Sequence, residues 1–170
     1  MQLSDKIRKI EFDRSSGASQ LARKALGVLR FFAQTSRNET CKDFMEDFKK
    51  VGRRLLETKP NMAPVQNLVA QIVYEVDTFK ERDLGFVRKF VISRIEELCK
   101  ESEFAVKKSA EWGATIIANS DYLTTCSYSS TVGETLKFAK QKGKIFKVFG
   151  YQWSCFTILL NGRRFFSFTA

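Results

Sequence analysis

Histidine is absent from all 170 residues. Its absence removes Ser-His-Asp and Cys-His pairs, imidazole acid–base catalysis and the commonest metal ligand. Any catalysis would have to come from Cys, Ser, Asp, Glu or Lys. Cysteine is sparse: Cys41, Cys99, Cys126 and Cys155 form no Cys-x-x-Cys pair. A zinc site would need all four to converge from distant positions, so no metal is expected, and no cofactor signature is present. No apolar run approaches the roughly 20 residues of a membrane span. The opening MQLSDKIRKIEFDR has no apolar signal segment. A cytoplasmic chain without membrane association is expected, and in that compartment disulfides are not.

What is present is an ordinary globular composition. Hydrophobic residues make up 44% and charged residues 28%, which excludes a disordered chain. Sixteen phenylalanines can supply a large core if most point inward. The net charge is +10, and from Lys137 onward five Lys and two Arg face no Asp or Glu. Such a basic end suits a phosphorylated ligand or nucleic acid. It is equally what remains when a truncated chain has lost its balancing acidic residues, and nucleic acid is the less favoured partner.

Residues 2–112 read as helices. Ile7 and Ile10 mark a short first helix, and Ser15 to Gly17 form a turn. Leu21, Ala25, Val28, Leu29 and Phe32 then recur at helical spacing. Thr40-Cys41-Lys42-Asp43 resembles a capping box with Asp in place of Glu or Gln, and Phe44, Phe48, Val51 and Leu55 follow on one face. Lys59-Pro60 ends that helix. Pro64 suits the first turn of the next, with Leu68, Ile72 and Val76 inward. Val87, Phe90, Val91, Ile95 and Leu98 predict another helix, and Phe104 and Val106 begin a further one. Stripes at this spacing are core faces of a helical bundle far more often than partner grooves.

The pattern changes near Trp112. Asn119-Ser120-Asp121 makes a turn, and Tyr122 to Cys126 reads as a strand. Ser127 to Ser130 is a polar loop, and Thr131 to Lys142 is a helix. Glu134 falls in that helix's first turn and Lys140 and Lys142 in its last, matching the macrodipole. Gly143 caps the helix, and Lys144 to Phe149 is a second strand. This is a β-α-β unit, the opening of a parallel sheet.

Chemistry concentrates at the junction between the first of these strands and its helix. Ser127, Ser129, Ser130 and Thr131 bring four hydroxyls to a helix start, where backbone amides and the dipole favour an anion. In α/β folds ligands bind at this carboxyl end of a strand. The same residues serve equally as local caps. Cys126 sits beside the helix start, where a thiol can acquire a lowered pKa, or is a buried structural cysteine.

The run Asp121-Tyr122-Leu123-Thr124-Thr125-Cys126-Ser127-Tyr128-Ser129-Ser130-Thr131-Val132, followed by Thr135-Leu136 and Gly143-Lys144-Ile145-Phe146-Lys147-Val148, resembles the signature of the translation initiation factor 2B alpha/beta/delta family. The segment Arg14-Ser15-Ser16-Gly17-Ala18-Ser19 leading into Leu21-Ala22-Arg23-Lys24-Ala25 is similar to that family's N-terminal Ser-Gly-Ala-Ser motif. The resemblance covers roughly residues 5–149. It implies a helical domain over 1–112, then the first β-α-β unit, over 113–149, of an incomplete Rossmann-like α/β domain. It also implies one of two functional classes: regulatory subunits of the exchange factor for initiation factor 2, or sugar-phosphate isomerases that use a Cys and an Asp. Aligned on Ser129, the isomerase Cys falls at Ser127, and the Arg of the isomerases' Arg-Gly-Ala phosphate motif falls at Ser16. Both substitutions argue against isomerase chemistry. A register one residue different would restore Cys126 as nucleophile.

After Phe149 the resemblance ends. The stretch 150–170 carries no acidic residue and much Phe, Ser and Cys. It reads as out-of-frame translation of a disrupted gene, or else as a lineage-specific tail with a strand at Phe156 to Leu160. The expectation is therefore a truncated, non-catalytic initiation factor 2B-like protein that binds a nucleotide or sugar phosphate, with initiation factor 2 or related subunits as partners. The alternatives are a sugar-phosphate isomerase or its remnant, and a helical interaction module. Oligomeric state stays open, because full-length relatives pair through a C-terminal domain that is largely missing here.

Overall fold

The computed structural model describes residues 2–80, 83–125 and 129–150. Among the described residues six helices and two strands follow in the order α1 (Leu3–Glu11), α2 (Ala18–Thr35), α3 (Cys41–Thr58), α4 (Ala63–Thr78), α5 (Leu84–Ile116), β1 (Tyr122–Thr125), α6 (Ser130–Gln141) and β2 (Lys147–Gly150). The chain divides into two compact units, Met1–Ala105 and Val106 onward. Among the described residues no helix is long and apolar enough to cross a membrane.

The first unit is all helical, with α2 at its centre packing on α1, α3 and α4. Eight residues of α2 are buried, Leu21 to Ala33, in a stripe too wide for a surface helix. Phe44, Phe48, Val51 and Leu55 of α3 meet this stripe, as do Val65, Val69, Ile72 and Val76 of α4 and Val87, Val91, Ile95 and Leu98 of α5. Thr40 caps α3 by accepting from the Asp43 amide at 3.1 Å. Its hydroxyl also donates to the Asp43 carboxylate at 2.7 Å. Asp is one methylene shorter than Glu, and here the acid meets the cap's hydroxyl.

Leu68 is half-buried against the core, and Val65 and Val69 complete the inward stripe of α4. One expectation is corrected in this unit. The break expected before Phe104 does not occur: α5 is one helix of 33 residues. From Phe86 to Trp112 it contains no Gly or Pro to stop it. Phe104 is 63% exposed, so the apolar residue that suggested a new helix faces outward from the old one.

Polar clamps fix the connections. Arg94 forks onto Glu75 of α4 at 2.8 and 3.2 Å and reaches Glu97 and Glu101 at 3.1 Å each. Its hydrogen bonds hold the Glu75 carboxyl below the usual range. Arg88 donates to the carbonyls of Ser36 and Asn38 at 2.9 and 3.0 Å and lies over the Phe44 ring, pinning the α2–α3 link.

The turn into α2 is organised by Asp13. Its carboxylate accepts from the amides of Ser15 and Ser16 (2.9 Å each), from their hydroxyls (3.1 and 2.9 Å) and from Lys24 (2.7 Å). Burial would raise the pKa of Asp13, but the Lys24 hydrogen bond and those from Ser16 and Ser15 outweigh it. They hold the carboxyl far below the ordinary 3.8. A depressed folded-state pKa gives stability that is present above the unfolded value and is lost as pH falls toward the folded one. Acid titration should therefore show a progressive loss of stability below about pH 4. Asp13→Asn should lower stability at neutral pH and flatten that acid slope; denaturant melts at several pH values measure both. An unchanged slope would mean that other carboxylates govern acid unfolding.

The second unit holds the parallel β1–β2 pair, in the register Tyr122↔Lys147, Leu123↔Val148 and Thr124↔Phe149. Leu123 and Val148 face a small core of Ala114, Ile117, Leu136, Ala139 and Phe146. Ser120 turns the chain with a φ of 70°, and Asp121 accepts from the Ala118 amide at 2.7 Å. At the end of α6, Gly143 has a φ of 77°. Its amide donates to Lys140 O at 2.9 Å and that of Lys144 to Ala139 O at 3.1 Å, the two bonds of a Schellman cap. The Lys144 ammonium then reaches the carbonyls of Ala114 (2.8 Å), Thr115 (3.2 Å) and Ile117 at the C-terminus of α5, where the dipole favours a cation. Lys144 to Phe146 therefore do not join the expected strand, because they complete a cap, tie down α5 and bury the Phe146 ring. β2 begins at Lys147.

Candidate functional site

The candidate site lies where β1 gives way to α6. Ser129 is the N-cap in extended conformation, and its side chain accepts from the Val132 amide at 3.4 Å, a long and weak contact. The Ser129 carbonyl takes the first full helical bond, from Gly133, at 2.9 Å. Ser130 and Thr131 form the first turn and are half-buried. Early amides of a helix have no intrahelical partner. Cys126 and Ser127, the alternative nucleophile positions, lie outside the described residues.

The helix starts one residue earlier than the sequence suggested, and this corrects the place of Glu134. It is the fifth helical residue, and its carboxylate pairs with Lys137 at 2.7 Å. No acidic side chain stands in the first turn of α6. An anion at this helix start therefore meets the positive dipole end without a competing carboxylate beside it.

Two residues to which the sequence reading gave no role at the site hold this turn in place. Thr135 donates to the Thr131 carbonyl at 2.9 Å. A Cβ on Gly113 of α5 would stand 2.8 Å from the Thr135 methyl, so the bare glycine lets α6 approach closely. The signal was legible as a helical glycine, but its neighbour is twenty-two positions away in sequence.

The Ser16 position is committed internally. Its amide and hydroxyl both donate to Asp13, and its oxygen accepts from Lys24 at 2.7 Å. The donors of the Ser15-Ser16 turn thus converge on the chain's own carboxylate. Among the described residues no His, Cys, Asp and Glu cluster could hold a metal. Cys41 and Cys99 are half-buried in the helical unit. The Cys41 sulfur lies 3.6 Å from that of Met45, and burial pushes the Cys99 thiol above its ordinary value. Cys155 lies outside the described residues.

Comparison with known proteins gives one consistent result. A putative translation initiation factor eIF-2B subunit 2-like protein of Pyrococcus furiosus is 33% identical over 142 residues, 84% of this chain and 47% of that protein. A ribose 1,5-bisphosphate isomerase of Thermococcus kodakarensis is 26% identical over 150 residues, 87% of this chain and 46% of the relative. The crystal structure of a Pyrococcus horikoshii translation initiation factor eIF-2B superposes with a TM-score of 0.70 at 26% identity, over 87% of this chain and 49% of that one. The chain thus spans about half the length of the relatives it matches. A sequence model of the initiation factor 2 subunit family matches residues 14–152. From the shared helical unit, the parallel strand pair and this match, the chain belongs to the initiation factor 2 subunit family.

Proposed function

We propose that this chain is a non-catalytic, initiation factor 2B-like binding protein that takes the anionic group of a nucleotide or sugar phosphate at the β1–α6 junction. In this reading β1, α6 and β2 open a Rossmann-like α/β domain, initiation factor 2 or related subunits are the partners, and the cytoplasm is the compartment. The observation that carries the reading is the start of α6. Three half-buried hydroxyl residues, Ser129, Ser130 and Thr131, stand at the carboxyl end of a parallel strand, with no acid in the helix's first turn. A phosphate there would accept from backbone amides and hydroxyls and gain from the dipole.

The second reading is a sugar-phosphate isomerase, favoured by the likeness to the Thermococcus protein. One experiment separates the two. Titration calorimetry with ribose 1,5-bisphosphate should show binding, and the same mixture should contain no ribulose product. Ser129→Asp keeps a good N-cap but sets a carboxylate against the anion, so it should weaken binding by roughly tenfold or more while leaving the helical circular dichroism intact. Binding unaffected by Ser129→Asp would move the ligand elsewhere. Turnover would replace the first reading with the second, and loss of that turnover in Cys126→Ser or in Ser127→Ala would name the nucleophile.

A further inference from the structure

Thr135 of α6 sits in the space that a side chain on Gly113 of α5 would need. A Cβ on Gly113 would stand 2.8 Å from the Thr135 methyl, 3.1 Å from its hydroxyl oxygen and 3.6 Å from its Cβ. Carbon atoms in contact lie about 3.5–4.0 Å apart, so the methyl takes the place of the missing side chain. The Thr135 hydroxyl donates to the Thr131 carbonyl at 2.9 Å, one turn back in the helix. A threonine side chain is stiff at χ1, and this hydrogen bond holds the rotamer that turns the methyl toward Gly113. Back-bonding of this kind also bends a helix locally.

The far end of α6 is anchored independently. The Lys144 amide closes the helix on Ala139 O at 3.1 Å. Its ammonium holds the carbonyls of Ala114, Thr115 and Ile117 at the end of α5. Between the two ends, Leu136 and Ala139 share a core with Ala114 and Ile117. So α6 rests on the last turns of α5 at two places, Gly113 near its start and Lys144 past its end. With the end fixed, the seat on Gly113 sets the tilt of the first turn and the direction of its amides. Those amides are the ones the helix does not use itself: its first backbone bond runs from Gly133 to Ser129 O, at 2.9 Å. The Val132 amide meets the Ser129 hydroxyl at 3.4 Å, too long to hold it firmly.

We propose that Thr135, seated on Gly113, is the positioning residue of the β1–α6 anion site. Its hydroxyl holds the Thr131 carbonyl, its methyl fills the bare glycine, and together they aim the first-turn amides at the phosphoryl group of the ligand. This rests on the reading of the junction as a phosphate site. It adds that the affinity of the site is set from behind, by α5. Thr135 acts through the backbone of Thr131, and its role needs no contact with the ligand.

Titration calorimetry with ribose 1,5-bisphosphate tests this on the full chain, at a temperature where circular dichroism shows each variant folded. Gly113→Ala should push the first turn of α6 back by roughly 1 Å and weaken binding about tenfold. Adding Thr135→Ser to Gly113→Ala removes the obstructing methyl and keeps the hydroxyl, so binding should return to within about threefold of the original. Thr135→Val keeps the methyl and drops the hydroxyl, and should weaken binding several-fold by itself. It leaves the contact with Gly113 in place, so it decides the matter if Gly113→Ala does not fold. A purely structural role would lower the melting temperature and leave the affinity of the folded protein where it was. Unchanged affinity in Gly113→Ala and Thr135→Val, with Ser129→Asp still weakening binding, overturns the proposal and leaves the junction reading standing. Weakening by Gly113→Ala that Thr135→Ser does not relieve overturns it too, because the methyl is then not the cause. If the unaltered chain binds no ribose 1,5-bisphosphate, or binds it regardless of Ser129→Asp, the junction reading falls and the proposal falls with it.

Discussion

Replacing Phe48 by alanine should destabilise the helical unit by about 3–5 kcal/mol. Phe48 is fully buried. Its ring lies 6.0 Å from that of Phe44 and 6.2 Å from that of Phe32, and Phe32 and Phe44 are themselves 5.6 Å apart. The substitution removes the transfer free energy of a buried ring, leaves a cavity that α2 and α3 close only partly, and breaks two aromatic contacts of about 0.5–1.5 kcal/mol each. For a unit of roughly 100 residues, each kcal/mol lowers the melting temperature by about 4–8 °C, so a fall of roughly 12 °C or more is expected. Thermal circular dichroism at 222 nm (the helix band) follows it. A loss under about 1 kcal/mol would mean that the cluster is loosely packed and collapses around the deletion.

Gly52→Ala should destabilise the same unit by about 1–2 kcal/mol, although alanine is the better helix former by about 1 kcal/mol. Gly52 is buried on the inner face of α3. A Cβ built there would stand 2.5 Å from Cγ2 of Val73 on α4, closer than two carbons can approach. A valine in a helix has essentially one χ1 rotamer, so its methyl cannot swing aside and the helices must separate. Overpacking of this kind outweighs the propensity gain. In a Val73→Ala background the obstacle is gone and the new methyl fills the space, so Gly52→Ala should then stabilise by up to about 1 kcal/mol. This double-mutant cycle predicts a reversal of sign, and chemical denaturation of the four proteins measures it. Destabilisation in both backgrounds would locate the strain elsewhere than at Val73.

Much of the fold was legible because its signals are local. The stripes Phe44-Phe48-Val51-Leu55 and Leu21-Ala25-Val28-Leu29-Phe32 identified buried faces that the structure contains. Thr40 and Gly143 marked helix ends that they do cap. Boundaries were less legible. Lys144 to Phe146 have the residue types of a strand, but their backbone and side chains are claimed by the α6 cap, by α5 and by the core. Phe104 looked like the start of a helix because a pattern cannot tell an outward apolar residue from the first inward one.

At the candidate site the sequence offered residue types but not their geometry. The Ser127-to-Thr131 run announced a helix start, yet a shift of one residue moved Glu134 out of the first turn and with it the local electrostatics. The Ser15-Ser16-Gly17 turn was read correctly as a turn, but not that Asp13 and Lys24 fill it, because that depends on a lysine two turns into the next helix.

By itself the sequence determined the first four helices and the β-α-β order, and its motifs carried the resemblance to the family. The helices and the β-α-β order rest on periodicity or spacing between near neighbours, which the chain's own covalent geometry imposes. Tertiary structure alone decided that α5 runs unbroken, that Gly52 and Gly113 must be bare, that Asp13 consumes the donors of its turn, and that Tyr122 and Phe149 stack across β1 and β2. Those features are set by distances between atoms far apart along the chain, fixed only when the helices and strands pack.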